Sequence, residues 1–344
     1  MNPKLLAFYL PQFHPIAENN RFWGEGFTEW TNVKKAAPLF RGHYQPANPT
    51  DLGMYSLLDP YVRVAQAEMA RKHGIYGFCY YHYWFGGGKR VLEKPFDEVL
   101  RLGEPNFPFA LCWANQSWTG VWYGAPDRVL IEQTYPGEDD FVEHFYALLP
   151  AFKDKRYIRV ANKPLFLVFR PSEIPDKKKF TNLWSRLAIE NGLEGIHFIG
   201  FSWDWDWDHI ADGFNAMVTQ VNLPPMLSKN KGAVKGPSLF SGESILPFVA
   251  PNSHLPNKTI HPCLLPNWDN TPRSGVMGSV MLNSTPENFR HQVKAALLSL
   301  RYLPENEKVI FVKAWNEWAE GNYLEPEVRY GLKYLEVLKE ELGH

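Results

Sequence analysis

The stretch Val309-Ile-Phe-Val-Lys-Ala-Trp-Asn-Glu-Trp-Ala-Glu-Gly321 decides the fold of this chain. Its first four residues form an unbroken apolar run, which is typical of a strand buried on both faces of a parallel sheet. Glu317 and Glu320 follow at once, with Trp315 and Trp318 beside them. Two glutamates at this spacing are, in isolation, more often solvated or capping groups than a site. The rest of the chain has to decide between these interpretations.

Similar runs recur along the chain, separated by segments with helical periodicity. The predicted strands cover residues 5–10, 74–83, 109–114, 164–169, 197–203, 216–221, 262–266 and 308–314. The predicted helices cover residues 56–72, 139–152, 177–191, 286–301 and 327–342. This alternation predicts an α/β fold, a (β/α)8 TIM barrel with long βα loops, formed as a single domain by residues 1–344. A doubly wound open sheet is the alternative, but the chain lacks the glycine-rich phosphate-binding motifs expected there.

Composition excludes several classes of protein. Of 344 residues, 45% are hydrophobic and 21% are charged, which excludes global disorder. The formal net charge of -1 gives no electrostatic footprint for nucleic acid, so we expect no nucleic-acid partner. The aromatic share of 15%, with 13 Trp, is high. Exposed indole rings stack on the flat faces of sugars, so this share favours a carbohydrate ligand weakly.

Cysteine and histidine spacing gives no sign of a metal site. The three cysteines, Cys79, Cys112 and Cys263, are widely separated, and no histidine pair has the spacing of a metal-binding helix. We therefore expect no metal and no cofactor. The first residues enter a predicted strand without a signal-peptide pattern, and no apolar run approaches membrane-spanning length. We expect a cytoplasmic protein without a membrane span.

In a TIM barrel the active site lies where the strands end, so the residues that follow each predicted strand test the barrel interpretation. Six of the eight predicted strand ends combine aromatic groups with Asn, Asp, His or Glu. Together with a Gly-bracketed loop at residues 24–32, they give the candidate sugar-binding residues Tyr9, His14, Glu29, Trp30, Tyr81, His82, Trp84, Trp113, Asn115, Trp118, Trp203, Trp268, Asp269, Arg273, Trp315, Asn316 and Trp318. The histidines are as often structural, Asn115 is equally a loop-capping amide, and Asp269 and Arg273 are equally an ion pair.

Paired carboxyl groups suit chemistry at an anomeric carbon. Apolar neighbours keep one carboxyl protonated near neutral pH while the other stays ionised. From the residues alone, Glu317 is therefore an ordinary nucleophile and Glu320 an acid/base.

Four motifs carry a resemblance to a known family: Tyr9-Leu-Pro-Gln-Phe-His14, Gly26-Phe-Thr-Glu-Trp-Thr-Asn-Val33, Trp268-Asp-Asn-Thr-Pro-Arg273 and Trp315-Asn-Glu-Trp-Ala-Glu-Gly321. In this order they resemble the WbsX-type proteins, which are often described as glycosyltransferases of surface-polysaccharide gene clusters and are related to glycoside hydrolase family 99. The resemblance covers nearly the whole chain. It implies a barrel of the retaining endo-α-mannosidase type that acts on an oligosaccharide or polysaccharide.

The resemblance also implies a role for each carboxylate. Glu317 matches the residue that deprotonates the sugar 2-hydroxyl, which then attacks C1 to give a 1,2-anhydro intermediate. Glu320 matches the acid/base that protonates the leaving oxygen and later activates water. The chain departs from the hydrolase signature at Ala319, where that signature commonly has His, which leaves the sugar open.

Three functions follow from these observations. A retaining endo-glycosidase acting on α-linked, mannose-type or related glycans is favoured. A glycosyltransferase of surface-polysaccharide (O-antigen or capsule) biosynthesis is the alternative, although no D-x-D motif lies in a nucleotide-sugar context. A barrel that binds glycans without catalysis is the third.

Overall fold

Nine parallel strands curl into a nearly closed barrel in the computed structural model, which describes residues 3–120, 125–202, 204, 206–219, 236–249, 254–255 and 258–343. The barrel strands are β1 Lys4–Tyr9, β2 Gly77–Trp84, β3 Phe109–Trp113, β4 Lys163–Val168, β5 His197–Ser202, β6 Ala216–Thr219, β7 Lys258–His261, β8 Cys263–Leu264 and β9 Val309–Val312. The order around the sheet is β7-β6-β5-β4-β3-β2-β1-β9-β8. The predicted TIM-barrel class is confirmed.

The predicted seventh strand begins at Pro262, but the structure has strand residues on both sides of this proline. Residues before it pair with β6, with Met217 opposite Ile260, and residues after it pair with β9, with Cys263 opposite Phe311. Proline has no N–H to donate to a ladder, but its carbonyl accepts from the Phe311 N–H at 2.9 Å. The two halves therefore serve different neighbours and bring the ends of the sheet together.

The strands read as continuous apolar runs because both of their faces are buried. All eight residues of β2 are buried, as are five of the six in β1. Inside the barrel the Phe8 ring lies 5.6 Å from Tyr81, 5.3 Å from Phe201 and 5.5 Å from Phe311, centroid to centroid. Large side chains thus fill the barrel and leave its upper rim for a site.

Helices follow most of the strands. Their bounds are Ala17–Trp23, Glu29–Lys35, Pro60–Lys72, Lys94–Leu102, Glu138–Lys153, Lys177–Glu190, Leu246–Val249, Thr271–Ser274, Pro286–Ser299 and Lys333–Leu342. Asp59 and Thr285 cap two of them through side chains that accept from backbone N–H groups, each followed by proline at the first helical position. The five predicted helices are present, and the last begins six residues later than the predicted start at residue 327. Turns occupy the described residues between β5 and β6.

Short strands outside the barrel shape its loops: Arg90–Val91, Trp118–Gly120, Ala125–Ile131, Arg159–Val160, Ser238–Ser241, His254–Leu255, Ser279–Leu282, Asn316–Glu317 and Asn322–Tyr323. Of the predicted strand at 216–221, residues 220 and 221 fall outside the described part of the chain. Within that part, none of the helices has both the length and the apolar character that crossing a bilayer requires.

Candidate functional site

A short hairpin at the end of β9 carries the two predicted carboxylates. Residues Asn316–Glu317 pair antiparallel with Asn322–Tyr323, and Trp318–Glu320 form a single 3-10 turn between them. Gly321 closes the turn at φ 53°, and a Cβ there would lie 2.7 Å from the Asp269 nitrogen. That nitrogen donates to the Glu320 carbonyl at 2.7 Å. Only glycine allows this approach, which fixes the direction of the turn.

Five charged side chains form an alternating row across the mouth of the barrel. Lys313 Nζ lies 2.8 Å from Glu317 Oε2 and 3.0 Å from Glu320 Oε2. Arg273 Nη1 contacts Glu320 Oε1, and its Nε lies 2.8 Å from Glu29 Oε1. The row therefore runs Glu317, Lys313, Glu320, Arg273, Glu29. Four of its side chains are at most 7% exposed, and that of Glu320 is 19% exposed.

Burial and neighbouring charges separate the pKa values of the two carboxyl groups. Burial raises the pKa of Glu317, the Glu320 carboxylate adds to this rise, and Lys313 opposes it. Burial acts in the same direction on Glu320, but Lys313 and Arg273 overcome it and hold the pKa of Glu320 below its usual range. Glu317 therefore holds a proton more readily than Glu320, which is the kind of difference that one acid and one base require.

A cavity of about 200 Å³ opens over this row. Five of the predicted residues line it: Tyr81, Trp118, Arg273, Glu317 and Glu320. Lining residues outside the prediction include Gln12, Trp23, Tyr83, Gln116 and Lys313. Gln12 is 3% exposed, and its Nε2 has no hydrogen-bond acceptor in the described part of the chain. A buried amide of this kind is suited to a ligand oxygen.

A buried carboxyl group, Glu325, supports the hairpin from below. Its oxygens accept from Trp318 Nε1 at 2.6 Å, Gln66 Nε2 at 2.6 Å and Tyr55 Oη at 2.8 Å. Burial raises the pKa of Glu325 to about 7, although these hydrogen bonds lower it in part. Asn316 adds a second anchor, because its side chain accepts from the Leu10 N–H at 2.7 Å and donates to the Leu10 carbonyl. The hairpin is thus fixed to the end of β1.

Most of the predicted aromatic residues lie beneath the cavity and do not line it. Trp30, Trp84, Trp113, Trp315 and Trp318 are each at most 5% exposed. Two of these indoles bind the backbone: Trp30 Nε1 donates to the Tyr55 carbonyl, and Trp113 Nε1 donates to the Trp84 carbonyl. Burial gives these rings a packing role, and direct sugar contact by them stays a prediction.

Several predicted polar residues have protein partners of their own. Tyr9 Oη donates to Gln66, and His14 Nδ1 lies 3.0 Å from the Pro11 carbonyl. His82 Nε2 lies 2.9 Å from His144 Nε2, and burial lowers the pKa of His82 to about 3. Asn115 links the Arg170 backbone to Tyr135. Trp203 lies outside the described residues.

Trp268 and Asp269 line a second cavity that does not contain the carboxylate pair. Asp269 Oδ2 accepts from His43 and Gln45, each at 2.7 Å, and its Oδ1 accepts from Thr271. Of the two interpretations left open for Asp269 and Arg273, mutual pairing is not seen, because Arg273 pairs with Glu29 and Glu320 instead. In the described part of the chain, no three His, Cys, Asp or Glu side chains form a group that could hold a metal ion.

Some known proteins are similar to this chain in sequence, and others are similar to it in fold. A family model described as Glycosyltransferase WbsX matches residues 5–338. The uncharacterized protein WxcX of Xanthomonas campestris pv. campestris is 36% identical over 348 residues, which cover 98% of this chain and 49% of WxcX. The chain thus spans about half the length of the curated relatives it matches.

Solved structures give the same fold at low identity. A GH99 endo-alpha-mannosidase from Bacteroides thetaiotaomicron is 16% identical, with a TM-score of 0.64 over 99% of this chain and 96% of that one. A glycoside hydrolase-like protein, also 16% identical, has a TM-score of 0.65 over 99% and 94% of the two chains. At this identity the likeness shows the barrel fold alone. The family is shown by the model that covers almost the whole sequence: the chain belongs to the WbsX glycosyltransferase family.

Proposed function

We propose that this chain is a retaining endo-glycosidase that cleaves α-linked, mannose-type or related oligosaccharides or polysaccharides. The observation that carries the proposal is the pair Glu317 and Glu320, which lies at the carboxyl end of β9 in an open cavity and shares Lys313. One protein of similar fold is an endo-alpha-mannosidase, which agrees with this chemistry.

Glu317 acts as the base in the first step and Glu320 as the acid. Glu317 takes the proton of the sugar 2-hydroxyl, O2 attacks C1, and the glycosidic bond breaks as Glu320 gives its proton to the leaving oxygen. In the second step Glu320 takes a proton from water, whose oxygen attacks C1. The C1–O2 bond then opens and O2 recovers its proton from Glu317. Two inversions at C1 retain the anomeric configuration.

In the free protein a proton shared by the pair favours Glu317, whereas the first step needs it on Glu320. Burial favours the protonated form of Glu317, whereas Lys313 and Arg273 favour the ionised form of Glu320. A bound sugar reverses this preference. Its 2-hydroxyl donates to Glu317 and favours the carboxylate there, and its glycosidic oxygen accepts from Glu320 and favours the acid. One proton is the right number in both states, so substrate binding only moves it between neighbours.

Gln12 and the exposed parts of Tyr81 and Trp118 supply the recognition of the sugar. The Gln12 Nε2 is buried at the wall of the cavity and has no hydrogen-bond acceptor among the described residues. A sugar hydroxyl provides that acceptor. Tyr81 and Trp118 line the same cavity and offer aromatic faces on which a sugar ring can stack.

The test is cleavage of a panel of bacterial surface glycans and yeast mannan by the wild type and by Glu317→Gln and Glu320→Gln. Each variant is expected to lose about 1,000-fold or more in kcat/KM, because each removes a proton-transfer group. Glu305→Gln, on an exposed carboxylate that contacts Lys308, is the matched control and should keep its activity. Proton NMR of the first product should show the retained anomer. An inverted product, or a tenth of wild-type turnover in either variant, would rule out these roles.

The family description supports glycosyl transfer as a second candidate function. In that case a sugar hydroxyl replaces water as the acceptor, and the donor is an activated sugar. Thermal unfolding with and without nucleotide sugars separates the two: nucleotide-dependent stabilisation favours transfer. Glycan binding without any product from either assay would leave a binding barrel.

A further inference from the structure

A second cavity lies on the other side of the Asn316–Tyr323 hairpin. Its volume of about 350 Å³ exceeds that of the cavity over the carboxylates. Sites for small molecules occupy about 300–1,000 Å³, so it is large enough for a ligand. The described residues that line the two cavities do not overlap: Glu317 and Glu320 face one, whereas Gly321 and Tyr323 face the other. The catalytic proposal gives the second cavity no role.

Its walls come from three loops that are joined by partly buried hydrogen bonds. Asp269 accepts from His43 and Gln45, which joins the loop after β1 to the loop after β8. Tyr44 Oη donates to Glu327 Oε2 at 2.6 Å and thereby joins the first loop to the segment after the hairpin. These ties exist without a ligand, so the shape of the cavity is preformed and binding needs little reordering.

The lining combines flat rings with polar groups. Six aromatic side chains contribute: Trp268, Tyr323 and Tyr334 are buried in the wall, and Phe40, Tyr44 and Tyr330 expose part of their surface. The Arg329 guanidinium lies over the rings of Tyr44 and Tyr330 at 5.2 and 5.0 Å. Asn267 and Asn283 add amides. Rings that stack on C–H faces, next to amides that bind hydroxyl groups, are what a saccharide requires.

The carboxylates of the lining do not favour a cationic ligand. Glu327 accepts from Tyr44 Oη and from the backbone N–H groups of Arg329 and Tyr330, and Asp269 accepts from three side chains. A cationic ligand would have to compete with these donors for carboxylates that are already satisfied. The rings and amides remain as the contact surface.

We propose that this cavity is a second saccharide site, which binds a stretch of the same glycan that the carboxylate pair cleaves. The inference rests on the proposed function for the identity of the glycan. Two-point attachment makes the second contact intramolecular, so a chain long enough to reach both cavities is held more tightly than a short one. The site therefore selects polymer over oligosaccharide.

The test compares two lengths of the glycan that the wild type cleaves: the intact polymer and the shortest cleaved oligosaccharide. Tyr330→Ala removes a half-buried ring of the cavity, and Tyr302→Ala removes a ring that is 63% exposed and does not line it. The ratio of kcat/KM for polymer to that for oligosaccharide should fall at least fivefold in Tyr330→Ala and stay unchanged in Tyr302→Ala. An unchanged ratio in Tyr330→Ala overturns the proposal.

A glycan array separates this proposal from the catalytic one. If no glycan is cleaved, the catalytic proposal fails, and wild type, Tyr330→Ala and Tyr302→Ala are compared for binding. Signals lost in Tyr330→Ala but kept in Tyr302→Ala support the second site. An array on which no signal depends on Tyr330 overturns it.

Discussion

Replacement of Lys313 by methionine tests the electrostatic design of the site without knowledge of the substrate. The side chain keeps most of its length and loses the ammonium that lies 2.8 Å from Glu317 and 3.0 Å from Glu320. Lys313 is 4% exposed, so water does not replace it freely. Removal of one partner of a buried ion pair costs about 3–5 kcal/mol of folding free energy.

The sign of the pH dependence follows from these shifts. In the wild type the pKa of Glu320 is below its unfolded value, so this group contributes stability that is present above the unfolded pKa, about 4.3, and is lost in acid. In Lys313→Met, only Arg273 still opposes the effect of burial, so the folded pKa of the pair rises. A group of that kind loses stability as pH rises. The free-energy difference between the two proteins should therefore grow between pH 4.5 and pH 8 and reach about 3–5 kcal/mol by pH 8.

Urea unfolding at pH 4.5, 6 and 8 measures this difference directly. Lys308→Met is the matched control, because Lys308 contacts the exposed Glu305 just before the same strand. Its effect should be small and constant across this range, since surface ion pairs contribute little. A Lys313→Met protein as stable as the wild type at pH 8 would refute the argument. A difference of equal size at pH 4.5 and pH 8 would also refute it.

Two further substitutions test single contacts. Gln12→Ala should lower kcat/KM about fivefold through the loss of one hydrogen bond to the sugar, without loss of stability, because its Nε2 has no hydrogen-bond partner among the described residues. Lower stability with full activity in a thermal and kinetic comparison would show a structural role instead. Gly321→Ala should cost about 1–3 kcal/mol more in urea unfolding than Gly331→Ala, because overpacking against Asp269 is added to the same backbone strain. The two glycines have φ values of 53° and 54°, and only the Cβ at Gly321 meets a neighbour, so equal costs would contradict the close approach.

The sequence predicts the barrel well because burial on both faces leaves a strong one-dimensional signal. Residues 5–10 and 109–114 are uninterrupted apolar runs. The ends of the corresponding strands differ from the predicted ends by at most one residue. The split at Pro262 is less visible. Which neighbour each half pairs with depends on closure of the whole sheet, and no local pattern encodes it.

The site is only half visible in sequence for a different reason. Glu317 and Glu320 stand out because two acids follow a buried strand, whereas Lys313 passes for an ordinary solvated charge. A signal for it does exist: a cation between a buried strand and a tryptophan has no easy route to water. For the tryptophans the sequence does not determine where each ring points, because a ring that stacks on a sugar and a ring in the core belong to the same residue type. Trp118 lines the cavity, but Trp113, five residues earlier, is fully buried.

The alternating charge row also constrains how this protein can change over time. Glu29 and Arg273 are 244 positions apart, yet each is the buried counter-ion of the other. Loss of Glu29 alone removes one buried counter-ion of the guanidinium, and loss of Arg273 alone leaves a carboxylate sealed from water. Descendants must therefore keep or discard the two together, and a chimera whose crossover falls between the loops after β1 and β8 inherits a working row only if both parents carry this pair.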